Sequence, residues 1–257
     1  MTSPWPLAAL AEDPEFFTEP PEDSERHADD RFCLTIGPHR RWAGVCRLRL
    51  RDEQLEDAVA EIRRLTAGID HVVWNVGSSA TPRELPARLR VLGLRDPDPP
   101  LDPFVSALTL EHEPQGVDDV EVRRIETLED HRAGLEIMLA ASTWPEAAAA
   151  AERERAGETL ERRQRRGGLQ WLASVDGCPV AWAMADRAAA GLYLGGGSTL
   201  PEARGRGCYR ALVRARWDEA MRLGLSGLAV QAQYGSSAPI LRRLGFVEVA
   251  TIDTLQS

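Results

Sequence analysis

Lysine is absent from the 257 residues, so all 31 basic side chains are arginine. That usage fits a GC-rich bacterial genome and rules out a phosphate site built on a lysine. Cysteine is scarce, and Cys33, Cys46, Cys178 and Cys208 show no C-x-x-C spacing and no histidine cluster. No metal centre is expected, and four scattered thiols fit a reducing cytoplasm better than a disulfide framework. No apolar run approaches the length of a membrane span. The opening MTSPWPLAALAEDPEFF has no basic residue ahead of its short apolar part and turns acidic, so it does not read as a signal peptide.

Positive charge is also in deficit, with 40 acids against 31 arginines giving a net charge of −9. Residues 1–30 hold nine acids and one arginine, which leaves the remainder of the chain at −1. A nucleic-acid partner would need a basic surface and is not expected. Hydrophobic content of 43% supports packed cores. The length suits one large domain or two modest ones.

Residues 1–30 read as an acidic N-terminal segment. Trp5, Leu7, Leu10, Phe16 and Phe17 offer a short helix for docking, and the acidic stretch behind them reads as a solvated linker. From Arg31 the pattern becomes regular. Strands are expected at Phe32–Ile36 and near Val45–Leu50, then a helix at Leu55–Ala67 with Leu55, Val59, Ile62 and Leu65 on one side. A strand His71–Val76, the loop Gly77-Ser78-Ser79-Ala80, a helix Pro82–Leu92, the ending Leu92-Gly93-Leu94 and a strand Phe104–Leu110 follow. Glu111–Asp119, with Pro114 and Gly116, marks a boundary between domains 31–112 and 118–257.

The second stretch opens with a strand Val120–Ile125 and a helix Leu128–Ala141. Thr143-Trp144-Pro145-Glu146 has the T-x-x-E form of a capping box, which predicts one helix through about Arg166. Strands Leu169–Val175 and Pro179–Asp186 are joined by Asp176-Gly177, a strong hairpin signal. A strand Gly191–Leu200, a turn, a helix ended by Gly224 and a strand Gly227–Gln233 complete the set. Gly235-Ser236-Ser237-Ala238 and Leu244-Gly245-Phe246 then repeat the marks of the first stretch in the same order, which points to an internal duplication.

Between strand and helix lies Pro201-Glu202-Ala203-Arg204-Gly205-Arg206-Gly207. Glycines there let backbone amides approach a phosphate, the first turn of a helix has unpaired N–H groups, and the dipole and arginines add positive potential. A P-loop would need a lysine, and a dinucleotide fingerprint would need a glycine where Arg210 stands, so both patterns fail. A charged turn using glycines for geometry alone stays open. The order resembles the pyrophosphate loop R/Q-x-x-G-x-G/A of the GNAT superfamily of acyl-CoA N-acyltransferases. Arg204, Gly207 and Tyr209 stand on its fixed places, and Tyr209 departs from Gly or Ala, so its side chain must turn away from the cofactor. The first stretch has Arg51-Asp52-Glu53-Gln54 at the corresponding point, where acids repel a pyrophosphate.

The resemblance implies an α/β fold with a mixed sheet: a tandem GNAT-like fold with a degenerate first copy and a complete second copy. It implies acetyl-CoA as co-substrate, held by amides around Leu200 and at Arg204, Gly205, Arg206, Gly207, Cys208 and Tyr209, with Gly195, Gly196 and Gly197 suited to a bulge nearby. The acceptor that the resemblance implies is a primary amine of a small molecule or protein, the alternative being a CoA-binding module without turnover; no nucleic-acid or membrane partner is implied, and a homodimer stays open. The tyrosine that many relatives use as acid is replaced by Leu241, and no carboxylate or histidine lies in the strand Gly191–Leu200. Tyr234 is then the candidate catalytic acid, or equally a cap on the strand end. Cys208 at a helix start has the place of a nucleophile, but a buried thiol is the simpler reading. His131 is expected on an exposed helix face. Trp144, Trp171 and Trp182 are candidates for an acceptor pocket or, more simply, for the core.

Overall fold

A computed structural model describes residues 6–98, 102–117 and 119–257. Trp5 and Asp118 lie outside the described residues. In the first stretch the elements are α1 (Leu7–Glu12), α2 (Pro14–Phe17), β1 (Glu25–Ala28), β2 (Cys33–Ile36), β3 (Ala43–Cys46), α3 (Leu55–Leu65), β4 (Val72–Val76), α4 (Leu85–Val91) and β5 (Phe104–Leu110). In the second they are β6 (Glu121–Arg124), α5 (Leu128–Ala140), α6 (Glu146–Glu154), α7 (Ala156–Arg165), β7 (Leu169–Val175), β8 (Cys178–Arg187), β9 (Leu192–Thr199), α8 (Cys208–Arg222), β10 (Leu228–Gln233), α9 (Ser237–Arg243) and β11 (Val247–Gln256). These elements divide between two compact units, one of residues Leu110–Leu228 and one of residues 6–109 with Ala229–Ser257.

In the unit that contains the chain's end, strand order is β1-β2-β3-β4-β11-β5-β10. β3 and β4 run parallel, while β11 is antiparallel to both of its neighbours. The closing strands of the two copies are thereby exchanged. β11, which ends the second copy, is inserted between β4 and β5 of the first, and β5 has β10 on its other side. The periodicity of α3 explains its place, since Leu55, Ala58, Val59 and Ile62 are buried on one face against Val45, Trp74 and Val76. Leu255 of β11 enters the same core.

The two endings that suggested a duplication have one geometry. Gly93 and Gly245 both take positive φ (92° and 95°), the N–H of Leu94 donates to the Leu89 carbonyl, and that of Phe246 donates to the Leu241 carbonyl, each at 3.1 Å. This is the six-to-one bond of a helix stop that glycine allows without steric cost.

The acidic N-terminal stretch is part of the fold and not a linker. Residues Glu25–Ala28 pair antiparallel with β2, and Arg26 donates to the carbonyls of Glu15 (2.6 Å) and Thr18 (2.7 Å). Leu7, Leu10 and Ala11 dock α1 as expected, and burial pushes the Glu15 carboxyl above its usual pKa.

The other unit is an antiparallel ladder β6-β7-β8-β9, with α5 and α8 packed on it. Asp176 and Gly177, at φ 52° and 77°, make the expected tight turn between β7 and β8. The capping box at Thr143 does not form. Pro145 stands at the N-cap of α6 with no side-chain bond, and the expected single helix is broken at Arg155 into α6 and α7. The polar run Glu152–Arg155 supplies no buried anchor, whereas Ala149 before it and Ala156 and Leu160 after it are buried.

The strand exchange predicts the behaviour of a fragment. Residues 118–257 expressed alone keep β11 but lose both of its partners, leaving apolar strand edges open. Such a fragment is expected to aggregate or to lose its cooperative unfolding transition, read by size-exclusion chromatography and circular dichroism. A monodisperse fragment as stable as the whole chain would contradict this.

Candidate functional site

β9 and the start of α8 carry the loop singled out in the sequence. Along β9 the register moves from Ala185↔Leu194 to Ala183↔Gly197, so Gly195 and Gly196 together oppose Met184. This is the bulge the three glycines predict, and a Cβ at Gly195 would come within 2.8 Å of the Met184 methyl. Bulging tilts the strand's backbone groups out of the ladder just before the loop.

The loop proper starts with a short 3-10 turn at Pro201–Ala203. Gly207 is the N-cap of α8 and is left-handed (φ 85°), and a Cβ there would lie 3.0 Å from Val117 Cγ1. Its carbonyl accepts from the Ala211 amide at 3.0 Å, which fixes the first helical turn. Among the described residues, the amides of Gly205, Gly207, Tyr209 and Arg210 are taken by no backbone carbonyl. They are the donors that a helix start leaves for an anion. Others are spent locally: Leu200 N–H donates to the Val180 carbonyl at 2.9 Å because the ladder with β8 runs one residue further. Leu200 therefore cannot supply the amide expected of it. The Arg204 and Arg206 amides close turns to Pro201 (3.3 Å) and Ala203 (3.4 Å), leaving these residues their side chains.

Both arginine side chains are exposed. Arg206 pairs with Asp176 at 3.1 Å, a surface pair that competes weakly with an incoming anion. Arg204 has no ion-pair partner among the described residues. Cys208 is 2% exposed, its Sγ lies 3.9 Å from the Ala203 carbonyl, and burial raises its pKa above the ordinary thiol value. It is a packing residue and not a nucleophile. The Tyr209 ring turns inward, onto Gly197 and beneath the helix, as its departure from the motif requires.

Other candidates resolve differently. Trp171 and Trp182 are core residues, and Trp182 Nε1 donates to Gln170 Oε1 at 3.1 Å. Trp144 is exposed, with Nε1 donating to Ser142 Oγ at 2.8 Å. His131 is buried, against expectation: its Nδ1 lies 3.2 Å from Gln170 Oε1, and desolvation holds its pKa below the usual imidazole range. The signal for that was available, since His131 lies four residues before the buried Leu135 on one helix face. Tyr234 belongs to the other compact unit, is 51% exposed, and has the Arg242 guanidinium 5.4 Å from its ring. Leu241 is fully buried. No group of three or more potential metal ligands occurs among the described residues.

The first copy shows what becomes of the same positions without a glycine loop. Gln54 Oε1 accepts from the Arg51 amide at 2.9 Å, and Arg88 pairs closely with Asp52, so the helix start is capped by its own side chains. The N-terminal segment takes the rest. Asp13 Oδ1 accepts from the Arg47 amide (2.8 Å) and Oδ2 from Arg49 Nη2 (3.0 Å), just beyond β3. Glu12 Oε1 accepts from both the amide and hydroxyl of Ser79 at 2.7 Å, in the Gly77–Ala80 loop after β4. Burial raises the Asp13 pKa, and Arg49 opposes that shift without cancelling it.

Asp13→Ala is expected to leave the Arg47 amide without its acceptor and to take from the Arg49 guanidinium its ion-pair partner, at a cost of about 2 kcal/mol in unfolding free energy. Urea denaturation of the full chain measures it, and a change near zero would show Asp13 to be dispensable.

No family model matches the sequence, and no curated protein is similar to it in sequence. Solved structures are similar in fold. A tandem GNAT protein from the clavulanic acid biosynthesis pathway, solved without AcCoA, superposes with TM-score 0.66 at 16% identity, over 98% of this chain and 87% of that one. A GCN5-related N-acetyltransferase from Kribbella flavida gives TM-score 0.67 at 17% identity, over 99% and 96% of the two chains. A GCN5-related N-acetyltransferase from Sphaerobacter thermophilus gives 0.58 at 18% identity, over 90% and 81%. The chain has the mixed α/β fold of a tandem GNAT protein.

Proposed function

We propose that the protein is an acyl-CoA N-acyltransferase that moves an acetyl group from acetyl-CoA to a primary amine of a small molecule or protein, and that only the second copy binds the acyl-CoA. The start of α8 carries this reading. A left-handed glycine N-cap, unclaimed amides at Gly205, Gly207, Tyr209 and Arg210, and two exposed arginines converge where a bulged strand runs into a helix. That set suits a pyrophosphate, whose charge meets the helix dipole and whose oxygens meet the amides.

In the reaction an amine nitrogen attacks the thioester carbonyl, the C–S bond breaks, and the thiolate takes a proton while the nitrogen loses one. β9 offers no carboxylate or imidazole for the amine's proton, so water carries it. Tyr234 is the proposed donor to the thiolate, since its exposed hydroxyl directly follows the end of β10. A second reading, a CoA-binding module without turnover, is favoured by one observation: fully buried Leu241 stands where relatives place their acid. Thiol release from acetyl-CoA over a panel of amines separates the two.

Two substitutions test the assignment. Gly207→Asp puts a carboxylate and a side chain at the anion site, in a conformation that favours glycine, and should abolish CoA binding in calorimetry while the circular dichroism spectrum is retained. CoA bound unchanged by that variant, or seated against Arg51–Leu55 in a crystal, would refute the assignment. Tyr234→Phe should lower kcat by roughly a hundredfold with little change in acetyl-CoA affinity. An unaltered kcat would leave water as the donor.

A further inference from the structure

Arg216 is the only arginine fully buried among the described residues, at 1% exposure, and no carboxylate pairs with it. Its Nε donates to the Leu212 carbonyl at 2.9 Å and its Nη1 to the Met184 carbonyl at 3.4 Å, while Nη2 has no partner. The guanidinium also faces the Tyr209 ring, 5.7 Å from the centroid. Arginine keeps its charge far above neutral pH even where burial lowers its pKa, so a full charge is held in this core. Burying it without a counter-ion is unfavourable, which calls for a compensating role.

The position of Tyr209 supplies that role. As the second residue of α8, after the N-cap Gly207 and Cys208, its side chain has two routes. One lies across the open helix end, over the unclaimed amides. The other runs inward between helix and sheet. The GNAT-like motif has Gly or Ala at this place and faces no such choice. Here the inward route is open because Gly197 lacks a side chain: a Cβ there would stand 3.2 Å from Tyr209 Cε2, tighter than ordinary contact. A larger residue at 197 would push the ring toward the helix end.

We propose that Gly197 and Arg216 are positioning residues that hold the Tyr209 ring inward and so keep the phosphate path at the start of α8 clear. Gly197 provides the space, and Arg216, itself held by the Leu212 and Met184 carbonyls, anchors the ring by its face. The inference rests on the acyl-CoA reading above and explains how a tyrosine is tolerated in that motif.

Calorimetry with CoA on the full-length protein tests it. Gly197→Val and, separately, Arg216→Met should each weaken CoA binding by about tenfold or more. Adding Tyr209→Ala to either variant should restore affinity to within about threefold of the unaltered chain, because the obstructing ring is gone. A merely structural defect in β9 or the core would not be repaired that way. Unchanged CoA affinity in both single variants overturns the inference alone, as does failure of Tyr209→Ala to restore binding in either background. If the unaltered chain binds no CoA, the acyl-CoA reading falls and takes this inference with it. Should Gly197→Val not fold, Arg216→Met with and without Tyr209→Ala separates the same outcomes.

Discussion

The Arg47 amide donates to Asp13 and the Ser79 amide to Glu12, whereas the amides of Gly205, Gly207, Tyr209 and Arg210 are claimed by no backbone carbonyl among the described residues. Both copies face one constraint, that backbone donors at strand ends and helix starts need acceptors. In the first copy the chain provides carboxylates of its own, and side chains from Arg51 to Gln54 cap the following helix. In the second copy the donors stay available at an exposed, arginine-flanked turn. The chemical asymmetry of the two copies comes down to which acceptors reach those amides.

Glycine decides where that availability is possible. Gly207 holds a left-handed N-cap against Val117, and the pair Gly195 and Gly196 bulges β9 against Met184. Neither geometry survives a Cβ without movement of its neighbour. The first copy has no glycine between Arg47 and Gln54, and its helix start closes on itself. Buried charge follows a similar division. Asp13 and Glu12 are buried against matched donors, whereas Arg216 is buried with carbonyls and a phenol and one nitrogen unpartnered. A charge retained on such terms marks a place where packing alone does not account for the residue.

Much of this was legible in the chain itself. α3, β5, β7 and α8 fall where pattern and stop signals put them, the helices by an apolar face and the strands β5 and β7 as short apolar runs buried on both faces. The G-S-S-A and L-G-hydrophobic marks announced the duplication, and the glycines at 93 and 245 adopt one conformation. Arg204, Gly207 and Tyr209 singled out the start of α8, and the bulge followed from three adjacent glycines. Local rules failed at Thr143, where Pro145 took the N-cap; at His131 the helix face carried the signal, and the partner Gln170 lies thirty-nine residues away.

What the sequence by itself determined was most of the helices and strands between Phe32 and Gln233, the repeat and the helix start whose amides face outward, since these depend on neighbours within a few residues. Only the tertiary structure decided which strand closes which copy, that the acidic N-terminus supplies acceptors to β3 and the Gly77 loop, and that Leu200's amide is spent on β8. It alone placed Arg216 under Tyr209, two turns along α8, with Met184 closing the third side. Each of these is a pairing between residues far apart in the chain, and hydrogen-bond partners across such separations are fixed by packing and not by pattern.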